Sequence, residues 1–206
     1  MVRPWTVDNW QHVVFSDESR FTLFKCDNRT VVWREKRERY EPACLVNRAP
    51  ASRNGIMFWG CIGYHGVGSL VEVEQTLNSV RYVEVLEDNL HESIENIFGD
   101  AQQNFVFQQD NAPCHSSRYT QDWLHRQNFQ NMQWPSNSPD MNIVESVWGH
   151  IAQKLRENPP VNLRELRHKV HTIWASITPE YIQGLYHQIP RRVRTLIVKR
   201  GYPTQY

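Results

Sequence analysis

The stretch HVVFSDESRFTLF, residues 12–24, decides the fold. Its alternation puts Val13, Phe15 and Asp17 on one face and Val14, Ser16 and Glu18 on the other, the period of two that marks a β-strand. An acid inside so apolar a strand is costly to bury without a partner. Asp17 is therefore a candidate metal ligand rather than a surface-edge acid, and Glu18 reads as solvent-exposed or salt-bridged. FTLF (21–24) and VVW (31–33) follow, separated by KCDNRT with its turn-forming Asp-Asn pair, and predict a β-hairpin.

Outward from this hairpin, residues 34–54 show neither strand nor helix period and carry six bases against three acids. Long uncommitted loops in folded domains are usually functional or disordered. GIMFWGCIGYHGVGSLVEV (55–73) predicts two strands joined at His65–Gly68. From Ser79 to Phe98 the period becomes helical through Val83, Leu86, Leu90, Ile94 and Ile97, with Gly99 as the stop. NFVFQQD (104–110) is a short apolar run ending in an acid. A turn and a helix bearing Tyr119, Trp123 and Leu124 follow, then a strand over 129–135. Ser138 as N-cap, Pro139 at N1 and Asp140 in the first turn predict a helix with Met141, Val144, Trp148, Ile151 and Leu155 as its apolar stripe, ended by Asn158-Pro159-Pro160. Leu163, Leu166, Val170 and Ile173 or Trp174 mark a further helix, and Pro179 starts another. This order of elements implies an α/β fold with a mixed sheet flanked by helices.

Composition agrees with that class. The 206 residues suit one domain, and 40% hydrophobic with 22% charged residues describe a folded chain. A formal net charge of +1 says nothing about nucleic acid, so only local clustering can. No apolar run is long enough to span a bilayer, and MVRPWTVDNWQH lacks a signal-peptide core, so a soluble intracellular protein without membrane partners is expected. Cys26, Cys44, Cys61 and Cys114 are far apart, which argues for reduced thiols and against a zinc site.

Three acids stand where a sheet-based site would place them: Asp17 within a strand, Asp110 at a strand end, and Glu145 near the start of a helix. Carboxylates from separate elements can converge on hard divalent cations, and two Mg2+ or Mn2+ ions about 3.5–4 Å apart can activate the attacking oxygen and stabilise the leaving oxygen of a phosphodiester. Spacing alone carries little, because 22 acids offer many separations by chance. The flanking words carry more. VVFSDESRFTLF, FVFQQDNAPCHSS and WPSNSPDMNIVESVWG, with WGCIGYHGVGSL and the closing YHQIPRRVRTLIVKRGYPTQY, resemble in order and context the mariner-type superfamily of DNA transposases. The 34 residues between Asp110 and Glu145, and Glu as third acid, are similar to its glutamate branch.

The resemblance implies a ribonuclease-H-like catalytic domain over 1–206, with 34–54 as an inserted clamp-type loop reaching the partner subunit and DNA, and 161–206 as a helical tail. It implies Asp17, Asp110 and Glu145 as catalytic metal ligands, a two-metal Mg2+ or Mn2+ cofactor, cut-and-paste cleavage and strand transfer, transposon ends and TA-containing target DNA as partners, a homodimer in the active complex and a nuclear site of action. Only 16 residues precede Asp17, so the family's N-terminal helix-turn-helix modules, and end recognition with them, are expected outside this chain. Position 143, commonly Pro in the family, is Ile here, which restores an N–H at the helix start. Two other readings use the same residues: a domesticated or inactive relative that binds DNA or protein without cleaving, and another two-metal nuclease such as a ribonuclease H. The three acids weigh against the first, and the basic loop and flanking words against the second.

Asp140 rivals Glu145, but five residues turn a helix by about 140°, so both cannot readily face one site. Gly149 and Ala152 either keep that face shallow for DNA or pack against a neighbour. His115 is a candidate for contacting the scissile phosphate or stabilising the site. Arg191, Arg192 and Arg194, with Lys199 and Arg200, form an acid-free basic tail, and Arg34, Lys36, Arg37, Arg39, Arg48 and Arg53 form a basic loop. Both are candidate DNA contacts.

Overall fold

The computed structural model describes residues 5–23, 55–73, 76–99, 105–135, 138 and 141–199. After one helical turn, α1 (Val7–Trp10), the alternating stretch forms a single strand, β1 (Val13–Thr22). The sequence divides this region in two, but Phe21 and Thr22 continue the same ladder, pairing with Ile56 and Gly55 of β2 (Gly55–Gly63). The expected hairpin partner at 31–33, and the whole loop 34–54 with its six bases, lie outside the described residues.

β2 returns antiparallel into β3 (Gly66–Val73) through Tyr64 and His65. The turn falls earlier than the glycines suggest, because Gly66 and Val67 already pair with Gly63 and Ile62. Gly66 takes a φ of 156°, which a side chain would resist. α2 (Ser79–Phe98) fills its predicted span. Asn78 caps it by accepting from the Arg81 N–H at 2.9 Å, and Gly99 ends it at φ 58°. All five stripe residues are buried, each contributing about 1.5–3 kcal/mol of apolar transfer.

β4 (Val106–Gln108) runs parallel to β1, α3 (Pro113–Ser116) and α4 (Arg118–Arg126) follow, and β5 (Gln130–Asn131) runs parallel to β4. The sheet order is β3-β2-β1-β4-β5, antiparallel on one side of β1 and parallel on the other. Only two residues of the expected 129–135 strand join the ladder, and Tyr119 turns outward while Trp123 and Leu124 are buried. The last helices are α5 (Val144–Glu157), α6 (Leu163–Ala175) and α7 (Pro179–Val198).

The alternation of β1 sorts the core into two layers. Val13, Phe15 and Phe21 pack with Val144, Val147, Trp148 and Ile151 of α5 and with α6 and α7. Val14, with Trp59 and Cys61 of β2, packs against α2 and α4. The Cys61 thiol is free and buried, and burial pushes its pKa up to about 12, so it is inert.

α5 starts later than the Ser138–Asp140 signal predicts. Its first residue is Val144, whose N–H donates to Asn142 Oδ1 at 3.3 Å. Pro139 and Asp140 lie outside the described residues. The predicted stripe is nonetheless buried from Met141 to Leu155.

Candidate active site

Asp17 sits in the middle of β1, opposite Gly60 of β2. Alternation from Phe15 places it on the α5 side of the sheet. Its neighbour across β2 has to be small, since a Cβ at Gly60 would lie 2.7 Å from Trp174 Cη2 and 3.0 Å from Trp148 Cη2. These two indoles stack with centroids 5.3 Å apart against Gly60. Asp110 follows the end of β4, whose ladder pairs Phe15 with Gln108, so continuing that register brings Asp110 level with Asp17. Glu145 occupies the first turn of α5. Asn142 fixes that turn to the sheet, because its Nδ2 donates to the carbonyl of Ser16 at 3.3 Å while its Oδ1 receives the Val144 N–H. The sequence marks Asn142 only as the residue before a missing proline, and its role as a stitch between β1 and α5 becomes visible only in three dimensions.

The charges respond to this convergence. Burial first, then the negative charges of Glu145, Glu18 and Asp110, push the Asp17 carboxyl up to about 8, against a lowering hydrogen bond from the Glu18 N–H at 2.9 Å. Glu145 is also raised, by burial foremost and by Asp110, while its hydrogen bond with Asp17 opposes the shift. Like-charged carboxyls that desolvate and repel one another hold a proton that a divalent cation would displace. Oxygen donors of this kind fit Mg2+ or Mn2+. Among the described residues, no three His, Cys, Asp or Glu side chains are already closed into a coordination cage. One oxygen of Asp110 is engaged elsewhere: its Oδ1 accepts from the Ala112 N–H at 2.9 Å and meets His115 Nδ1 at 2.6 Å.

Among the DNA-contact candidates, His115 is buried. Its side chain is 2% exposed, with Nδ1 on Asp110 and Nε2 3.3 Å from Glu18 Oε1, so it cannot present to a scissile phosphate. Burial works against its protonation, yet Glu18 and Asp110 outweigh burial and raise its pKa. Of the two states expected for Glu18, solvent-exposed or salt-bridged, the structure shows the second: it is half-buried and paired with His115.

Arg192 is buried as well. It is 5% exposed and donates from a terminal nitrogen to Ser146 Oγ at 3.0 Å, tying α7 to α5. Arg191 and Arg194 do face outward, and with Thr195, Val198 and Lys199 they line a shallow basic depression. Gly149 and Ala152 divide between the two roles open to them. Ala152 packs on the core, whereas a Cβ at Gly149 would meet nothing within 4 Å, so the exposed surface one turn beyond Glu145 is open. On the other side of Asp110 a cavity of about 540 Å3 lies between α3, α4 and β5, walled by Asn111, Gln121, His125, Asn131 and Trp134 among others.

The sequence profile of the family described as DDE superfamily endonuclease matches residues 12–167. The Tcb2 transposase of Caenorhabditis briggsae is 30% identical over 202 residues, which span 98% of this chain and 73% of that protein. The Tc1 transposase of Caenorhabditis elegans is 29% identical over 203 residues, with the same two shares. Among solved structures, the catalytic domain of Mos1 mariner transposase superposes with a TM-score of 0.73 at 18% identity, covering 96% of this chain and 86% of that one. A pre-cleavage Mos1 transpososome gives 0.77 at 19%, covering 96% and 58%. The mixed five-stranded sheet flanked by helices is thus the ribonuclease-H-like fold of those enzymes. The chain belongs to the DDE superfamily of endonucleases and is a DNA-cleaving transposase catalytic domain of the Tc1/mariner cut-and-paste type.

Proposed function

We propose that Asp17, Asp110 and Glu145 are the catalytic carboxylates, and that together they hold a pair of Mg2+ or Mn2+ ions for cleavage at transposon ends and strand transfer into TA-containing target DNA. The observation that carries this reading is the placement of three acids on one side of one sheet: Asp17 within β1, Asp110 level with it past the end of β4, and Glu145 in the first turn of α5, which Asn142 ties to β1. Structures of the Mos1 catalytic domain are described with Mn and with Mg, which supports the choice of cations. When bound, such ions supply Lewis acidity to the attacking and leaving oxygens of an in-line displacement.

The chain's own residues do the rest. Burial and mutual repulsion raise the Asp17 and Glu145 carboxyls, so a cation held by them would compete with a proton for the pair. Gly60 and the stacked indoles hold Asp17 on a rigid strand, and Asn142 holds the α5 turn that carries Glu145. The open surface at Gly149 admits a DNA backbone close to Glu145, and the exposed Arg191 and Arg194 of α7 supply phosphate contacts. DNA as substrate is supported by the paired-end and transpososome complexes described for Mos1. Dimeric action and a nuclear location belong to the same reading and rest on the family resemblance.

The test is scission of a plasmid carrying transposon ends, in Mg2+ or Mn2+, by the full-length protein. The expected result is cleavage that disappears in Asp17→Ala, Asp110→Ala and Glu145→Ala while DNA binding persists. Cleavage surviving any one of the three would remove that residue from the centre.

A further inference from the structure

Asp110 is gripped from the face of the sheet that does not carry Asp17. A carboxylate oxygen only accepts, so His115 Nδ1, 2.6 Å from Oδ1, carries the hydrogen. With the Ala112 N–H also on it, Oδ1 is fully occupied. The other ring nitrogen of His115 lies 3.3 Å from Glu18 Oε1, an ion-pair contact without hydrogen-bond geometry, and both atoms are shut away from solvent. Neighbouring strand residues point to opposite faces, which is how Glu18 reaches an imidazole behind the sheet while Asp17 faces α5.

The imidazole has no freedom to leave. Tyr82 of α2 lies against it with ring centroids 4.1 Å apart, and the Tyr82 hydroxyl donates to Gln109 Oε1 at 2.7 Å. Gln121 of α4 donates to the His115 carbonyl at 2.7 Å. α2 thus covers the imidazole and α4 holds the His115 backbone, around a side chain that is 2% exposed.

We propose that His115 and Glu18 are positioning residues for Asp110: the Glu18–His115 pair fixes Oδ1 from behind the sheet and leaves Oδ2 as the single oxygen that Asp110 presents to a divalent cation. The inference rests on Asp110 being a cation ligand. In this arrangement the adjacent acids Asp17 and Glu18 serve one centre from opposite faces, the first directly and the second through an imidazole. Partners behind a metal ligand typically govern affinity by about 10- to 100-fold.

The experiment is calorimetric titration of the full chain with Mn2+, without DNA. His115→Ala is expected to weaken Mn2+ binding by about 10- to 100-fold, and Glu18→Gln to weaken it by a smaller factor. His115→Asn places an amide N–H where Nδ1 stands, so it should restore binding close to wild type and make Glu18→Gln silent in that background. A merely structural histidine would lower the melting temperature and leave the Mn2+ affinity of the folded protein unmoved. Wild-type affinity in His115→Ala, with binding lost in Asp110→Asn, would overturn the positioning role alone. Wild-type affinity in Asp110→Asn would overturn the ligand assignment and the positioning role with it. Should His115→Ala fail to fold, the near-isosteric Glu18→Gln decides, since unchanged affinity there breaks the chain from Glu18.

Discussion

Replacing Asp17 by Asn should make the metal-free protein more stable while removing its activity. The carboxyl of Asp17 rises from 3.8 to about 8 on folding. A group whose pKa is raised in the folded state binds its proton more tightly there, so its contribution is fully present below pH 4 and is lost as pH climbs through about 8. At pH 7 the folded state holds a proton that the unfolded chain has released, which at 1.36 kcal/mol per unit costs about 4 kcal/mol at most. Asn carries no charge and keeps an oxygen for the Glu18 N–H, so it escapes this penalty. A gain of roughly 1–4 kcal/mol in a chain of this length raises the melting temperature by about 3–12 °C. The assay is thermal unfolding in EDTA from pH 4 to pH 9, read as the difference between wild type and Asp17→Asn. His115, also raised, titrates in both proteins and largely cancels in that difference. The gap should be small at pH 4 and widen toward pH 8. A variant no more stable than wild type at pH 7, with a flat difference across the range, would refute the convergence of carboxylates from which the site is built.

Other consequences are as direct. Gly60→Ala should drive a methyl into Trp174 and Trp148 and cost about 1–3 kcal/mol, seen as a lower denaturant midpoint and altered tryptophan emission. Asn142→Ala orphans the Ser16 carbonyl and frees the start of α5, a loss of about 1–3 kcal/mol that should also weaken Mn2+ binding through Glu145. Arg192→Ala should lower thermal stability with no specific effect on the salt dependence of DNA binding, because the side chain is buried against Ser146. Arg191→Ala and Arg194→Ala should do the reverse, leaving the melting temperature in place and each reducing the salt slope of DNA affinity by about 1.

Much of this was legible in the sequence for identifiable reasons. α2 matched its predicted span because a cap, an unbroken apolar stripe and a stop glycine all agree on it. Asp17 stood out because alternation assigned it to a buried face where an acid is out of place. The start of α5 was misplaced because Ser138-Pro139-Asp140 is a good local capping signal, whereas the observed first turn is set by Asn142 reaching across to β1, a contact between residues 126 positions apart. Which of their alternatives Glu18 and His115 take, and the burial of Arg192, could not be read from the sequence for the same reason. A charged residue is solvated on average, and only the packing of α2, α3 and α5 against the sheet turns these three inward. The family resemblance located the acids, and the fold explained what holds them.

The most direct measurement of the central claim is a crystal structure of the protein soaked in Mn2+, with anomalous scattering collected at the manganese edge. The account predicts anomalous density bounded by the carboxylates of Asp17, Asp110 and Glu145, with Asp110 contributing Oδ2 and its Oδ1 still held by His115. Density elsewhere on the folded protein, or none at concentrations that support cleavage, would contradict it.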